Sequence, residues 1–362
     1  MYGFIPTNQV KIYCKCKASS LVLYITNMPD PSPLTDTNEP ILNRNLRLTT
    51  YPIEHNDIWQ SYKRQQASFW VAEEIDFSRD RDQFNNSLTD SERHFVKNIL
   101  VFFAASDTLV SLNLMNNFCN EVTVLEAHYA YTFQAQIENV HAEVYSLMIE
   151  TFIQDNNEKD GIYRSLAGMS SVIRKVDWAR KWSSPSSATK APFRNRLVAF
   201  AIVEGLFFSG AFCAIYWLKQ RNLLPGLTKS NEFIARDEGQ HTEFACLMYS
   251  KLVVKMSEVD VHAMFSEAVS IEKEFIIESI PCRLVGMNSV LMCQYIEYVA
   301  DNLLGMLGYA KMYGTSNPFG FMELISMGAR SNFFEERVSL YQRSDVLNVD
   351  TEKGVSIYSE DF

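Results

Sequence analysis

The sequence predicts an all-α protein, a helical bundle closed around a pair of metal ions. Three observations carry that expectation. Apolar residues recur at helical spacing almost without break from about residue 40 to about residue 340. The period-two alternation of strands is scarce throughout. Two Glu-x-x-His tetrads, Glu138-Asn139-Val140-His141 and Glu238-Gly239-Gln240-His241, sit inside such apolar segments, and no other glutamate has a histidine three residues on. At about 100° per residue, positions three apart share one helix face. A carboxylate and an imidazole on one face make half of a metal site, so two facing halves suggest a bridged pair of ions. Di-iron carboxylate bundles use this pattern, with a lone carboxylate on each of two further helices.

The elements follow in order. Residues 1–40, with Pro29-Asp30-Pro31-Ser32-Pro33, show no sustained period and read as a disordered tail. Residues 41–340 read as the metal-binding domain. Thr89-Asp90-Ser91-Glu92 has the form of a capping box and opens a helix over about 90–118. A second helix, about 122–152, carries the first tetrad. A polar stretch containing Ser183-Ser184-Pro185-Ser186-Ser187 follows, then a third helix over about 192–222, stopping before Pro225-Gly226. A fourth starts near Ser230, with Glu232 in its first turn, and carries the second tetrad. Further helix is broken near Pro281 and around Gly314 to Pro318. From Tyr341 the chain is polar and acidic, so 341–362 reads as a flexible tail.

Bulk properties narrow the function. The 362 residues are 47% hydrophobic and 13% aromatic, enough for a substantial core in one large domain or two ordinary ones. A net charge of −10 without a basic run argues against nucleic acid or an anionic membrane surface as partner. The seven cysteines (14, 16, 119, 213, 246, 282 and 293) are odd in number, and five lie in helix-like stretches. That suits buried thiols in a reducing compartment, and a cytoplasmic protein is expected. Cys14-Lys15-Cys16 is only a weak metal or redox signal. The apolar patch Leu21 to Ile25 lacks the flanks of a signal peptide. Leu197 to Leu218, whose single charge is Glu204, is long enough to span a membrane, but a helix buried in a bundle is equally apolar. The soluble reading is preferred, since an acid within a membrane would need a partner.

Two tetrads supply four ligands, and Asp107 and Glu204 complete a set of six. Each is a lone carboxylate in an apolar helix, where an unpaired acid would be costly. Either alone could be a buried hydrogen-bonded acid; one on each of the two remaining helices favours ligation. Asp107, Glu138, His141, Glu204, Glu238 and His241 are rich in oxygen donors, which favours iron or manganese over a thiolate zinc site. Tyr145 lies four residues after His141 on the same face, placed to lose an electron and a proton to an oxidised metal centre. Phe208, Phe212 and Ile234 fall at helical spacing from the ligands and could line an apolar pocket, or serve as ordinary core.

These residues resemble the small, radical-generating subunit of class I ribonucleotide reductase over roughly 40–362. The matching blocks are Ala67-Ser68-Phe69-Trp70-Val71-Ala72-Glu73-Glu74-Ile75-Asp76, Phe102 to Asp107, Ile137 to Leu147, Val203 to Gly210, Ala235 to His241 and Asn332-Phe333-Phe334-Glu335. The resemblance implies a ferritin-like bundle with additional helices. It also implies that the six ligands hold two irons, oxo-bridged, with manganese the less favoured metal. Dioxygen would then generate a stable radical on Tyr145. It implies a route through His141, Asp237 and Trp70, with Tyr341 carrying the radical onward to a large subunit that holds the nucleotide. Homodimerisation and docking of the acidic tail on the large subunit are further implications. Thr108, Leu112 and Thr132 depart from the family pattern, at positions that are neither ligands nor on the route. A desaturase-like di-iron oxidase, a ferritin-like iron store and a catalytically silent paralogue remain the rival readings.

Overall fold

The structure is a computed structural model that describes residues 11–17, 20–26, 39–42, 46–183, 191–279 and 288–322. The chain divides into a unit of residues 1–320 and a second of residues 321–362. The first is an all-α bundle with a small sheet near its N-terminus. Strands β1 (Lys11–Lys17) and β2 (Ser20–Thr26) pair antiparallel, Cys14 opposite Leu23, and β3 (Leu46–Arg47) adds to β2. The sequence reading expects no element before residue 40. The hairpin forms where Leu21-Val22-Leu23-Tyr24-Ile25 supplies branched and aromatic residues that favour extended backbone.

The helices in chain order begin with α1 (Asn56–Ala67), α2 (Asp80–Asn86) and α3 (Asp90–Asn113). A π-helical turn, Leu114–Phe118, leads from α3 to the short α4 (Cys119–Glu121). Then come α5 (Leu125–Phe152), α6 (Asn156–Gly168), α7 (Ser170–Ser183) and α8 (Phe193–Gly205). The last four are α9 (Ser209–Gln220), α10 (Pro225–Ser250), α11 (Glu258–Ser279) and α12 (Ser289–Leu307). In the centre α3 packs on α5, α8 on α10, and α5 meets α10; α1 covers α5 and α10 from outside.

The capping box at α3 forms as its sequence requires. Glu92 N–H donates to Thr89 Oγ1 at 3.3 Å, and Thr89 N–H returns a bond to Glu92 Oε2 at 2.8 Å. Two expectations change. The single helix over 192–222 is instead α8 and α9, broken at Leu206–Phe208. A Cβ on Gly205 would lie 2.9 Å from Thr242 Cγ2, so a glycine lets the end of α8 approach α10 closely. Helix α10 starts at Pro225, five residues before Ser230. Its first N–H groups, from Gly226 and Leu227, donate to the buried Asp80 carboxylate at 2.8 and 2.7 Å. Ser230 is no cap, because its hydroxyl donates back to Leu227 O.

The stretch Phe193–Gln220, the one among the described residues long and apolar enough to cross a membrane, is almost wholly buried in the bundle. Cys119, Cys213 and Cys246 are buried free thiols. Helix α12 ends on Gly308 in the left-handed region, φ 88°, and Asp301 accepts the N–H groups of Met312, Tyr313 and Gly314 in the loop beyond. The polar stretch after Ser183, the break at Pro281, Asn332-Phe333-Phe334-Glu335, Tyr341 and the acidic tail lie outside the described residues.

Candidate metal centre

Helices α5, α8 and α10 bring five of the six predicted ligands to one buried point. Glu138, His141, Glu204, Glu238 and His241 are each at most 3% exposed. One ligand atom from each of Glu138, Glu204, Glu238 and His241 falls within 4.8 Å of the other three. His141 Nδ1 lies 3.1 Å from Glu238 Oε1 and 3.5 Å from Glu138 Oε2. His241 Nδ1 lies 3.0 Å from Glu138 Oε1, 3.2 Å from Glu238 Oε2 and 4.0 Å from Glu204 Oε2. Each tetrad therefore faces the other, as a two-ion site requires.

The donor chemistry fits a cation pair. Three carboxylates and two imidazoles converge with no lysine or arginine among them. Glu138 Oε1 and His141 Nδ1 form no well-aligned hydrogen bond, although partners stand about 3 Å away. Their lone pairs converge instead of pairing, the arrangement a metal ion resolves. Burial alone would lower both histidine pKa values. The surrounding carboxylates outweigh it, raising His141 well above its usual range and His241 to about 9. Burial would also raise Glu238, but the adjoining His141 and His241 imidazoles hold it below the ordinary carboxylate range. The cluster demands positive charge, which a divalent cation would supply.

A polar chain leaves the cluster from the far side of His141. His141 Nε2 lies 3.4 Å from Asp237 Oδ2, which also accepts from Trp70 Nε1 at 2.7 Å. Asp237 Oδ1 accepts from Arg236 Nε and Nη2 at 3.0 and 2.9 Å. Burial would raise Asp237, but the Arg236 charge and the bonds from His141 and Trp70 keep its carboxyl below the usual range. Arg236 also holds Ser68 O, and Gln240 holds Ser68 Oγ, fixing the backbone just before Trp70. Trp70 is 2% exposed.

Tyr145 stacks on Phe103, ring centroids 4.6 Å apart and planes 4° from parallel. Phe212 and Phe208 pack on the same Phe103 ring at 5.1 and 5.8 Å. Tyr145 is 1% exposed, so the pocket around it is aromatic and closed.

The family model described as ribonucleotide reductase, small chain, matches residues 47–318. The chain belongs to this family. A ribonucleoside-diphosphate reductase small subunit from Arabidopsis thaliana is 50% identical over 322 residues, covering 89% of this chain and 94% of its own length. Its counterpart from vaccinia virus (strain Ankara) is 49% identical over 311 residues, 86% of this chain and 96% of its own length. Among solved structures, the ribonucleotide reductase Rnr4 homodimer from Saccharomyces cerevisiae matches with a TM-score of 0.73 and 36% identity, over 85% of this chain and 94% of that one. The protein is thus a small subunit of the ribonucleoside-diphosphate reductase type, an oxidoreductase with the ferritin-like bundle of its family.

Within this ribonucleotide reductase small subunit, Glu138, His141, Glu204, Glu238 and His241 stand together, with Asp237 and Trp70 joined to them. Asp107 lies on α3, which packs against α5, and its side chain is outside those described. Ile234, Phe208 and Phe212 are buried. Two residues escaped the sequence reading. Phe103 carries the Tyr145 stack, and its signal was its place within the Phe102 to Asp107 block. Gln134 donates from Nε2 to Glu204 Oε1 at 3.1 Å. Its only trace in sequence is an amide one helical turn before Glu138, in a run that also holds Gln136.

Proposed function

We propose that this small subunit holds two iron ions and uses dioxygen to generate a radical on Tyr145, which a large subunit then draws on to reduce ribonucleotides to deoxyribonucleotides. Asp107, Glu138, His141, Glu204, Glu238 and His241 would hold the metal, and the bound pair supplies the one-electron oxidising power. Tyr145 gives up an electron and its phenolic proton, and the Phe103, Phe208 and Phe212 rings exclude water from the oxidised ring.

The observation that carries this reading is the chain Trp70–Asp237–His141, which ties an oxidisable indole to a ligand through one carboxylate. An iron store or a desaturase needs no such link. Asp237 orients the His141 ring and accepts the indole proton as charge shifts toward Trp70. Tyr341 would continue the route, and the acidic C-terminal tail would dock on the large subunit. A homodimer working in the cytoplasm completes the proposal.

Adding ferrous iron and oxygen to the metal-free protein should give a sharp tyrosyl signal by electron paramagnetic resonance. Tyr145→Phe should lose that signal and keep its metal. A metal-loaded protein that shows no radical would refute the assignment.

A further inference from the structure

We propose that Gln134 is a positioning residue of the metal site: its amide N–H reserves one oxygen of Glu204 so that the other ligates, and its amide oxygen accepts a hydrogen bond from water in the site. This deepens the metal-site reading and rests on it.

Gln134 is 0% exposed and lies on α5 one turn before Glu138. Its Nε2 donates to Glu204 Oε1, while Glu204 Oε2 lies on the side of His241 Nδ1 at 4.0 Å. The two oxygens of one carboxylate are thereby given different tasks. Oε1 is tied across the bundle from α8 to α5, and Oε2 is left toward the other donors. The amide must face this way round, because the flipped form would set two oxygens against each other. That orientation leaves Gln134 Oε1 buried without a hydrogen-bond partner. An orphaned buried acceptor costs about 1–3 kcal/mol, and ordered water is the common way such groups are satisfied. The group needing a donor sits on the residue that already holds a ligand, so a water entering with the ion meets an acceptor there. Glutamine is suited to both tasks at once; a hydroxyl is too short, and a carboxylate would repel Glu204.

Groups that orient metal ligands typically contribute about 10–100-fold in affinity. The test is anaerobic titration of the metal-free full-length protein with cobalt(II) against a chelator, read by the visible absorption of the bound ion. The unaltered protein should bind two equivalents. Gln134→Leu should still bind one equivalent normally and bind the second at least about 10-fold more weakly, while the metal-free variant keeps its helical content and melting temperature. Gln134→Asn retains a polar amide in the core but withdraws it by one methylene, and it should show the same split if Leu perturbs the fold. Unchanged binding of both equivalents would overturn the proposal. So would equal weakening of both, which marks a merely structural role. An unaltered protein that binds no cobalt refutes the metal-site reading itself, a failure visible before any variant is made.

Discussion

His141 is gripped at both ring nitrogens, and the two grips act on different parts of the molecule. Nδ1 faces Glu138 and Glu238 in the cluster, and Nε2 faces Asp237. Trp70→Phe removes the indole N–H but leaves Asp237 paired with Arg236. The variant should fold, bind two metals per chain and lose turnover when mixed with a large subunit; normal turnover would show that the route bypasses Trp70. A second buried pair makes a contrast. Lys175, 3% exposed, pairs with the fully buried Glu272, donates to Phe207 O and lies 4.2 and 3.8 Å from the Phe102 and Phe275 rings. Burial pulls Lys175 down to about 8 and pushes Glu272 up, their mutual attraction opposing both shifts. Glu272→Gln strands a buried cation and should cost about 3–5 kcal/mol in chemical denaturation, whereas Lys175→Met with Glu272→Leu should recover most of it. Equal losses in the single and double variants would contradict this account.

At the scale of elements, the site depends on helix ends tied to distant residues. Asp80 caps α10 from α2, and a Cβ on Gly226 would lie 2.6 Å from Asp76 O, so the α10 start is pinned on both sides. Asp80→Ala should cost about 1–2 kcal/mol and loosen the helix that carries Glu238 and His241; hydrogen exchange along 225–250 reads this directly. Glu126, at the start of α5, accepts from Glu54 N–H and Arg47. Burial would raise its pKa, but these bonds hold it below the ordinary value of 4.5. A lowered folded-state pKa gives stability that is complete above the unfolded value and is lost as pH falls through the folded one. The penalty of Glu126→Gln in urea should therefore be full at about pH 7 and shrink below the ordinary value of 4.5; a penalty independent of pH would count against it. These long-range ties also mark what sequence could show. The tetrads were legible because helical spacing alone puts Glu and His on one face, and Glu204 because it is a lone charge in apolar sequence. The α8–α9 break and the α10 start were not, and the α10 start is set by Asp80 from a remote part of the chain. Gln134 was not, since a helical amide has no ligand signature until its partner is known.

For the whole molecule, the bundle can generate an oxidising equivalent only if that equivalent can leave. The inner part of the proposed route would run through His141, Asp237 and Trp70, which stand in series and are buried. The outer part of that proposed route would fall to Tyr341 and the acidic, polar segment that includes Glu360-Asp361-Phe362. Such a segment can dock in a groove on a partner, anchored by side chains such as Ile357, Tyr358 and Phe362. On the proposed reading, docking and radical formation would reside in separate parts of one polypeptide and should separate experimentally. Removing Val355 to Phe362 should leave metal uptake and the Tyr145 resonance signal unchanged. The same truncation should abolish turnover and reduce binding to an immobilised large subunit. Tyr341→Phe should do the reverse for binding, keeping the large subunit attached while stopping turnover. A truncated protein that still turns over would place the docking surface on the bundle, and loss of the resonance signal on truncation would tie the tail to the metal site.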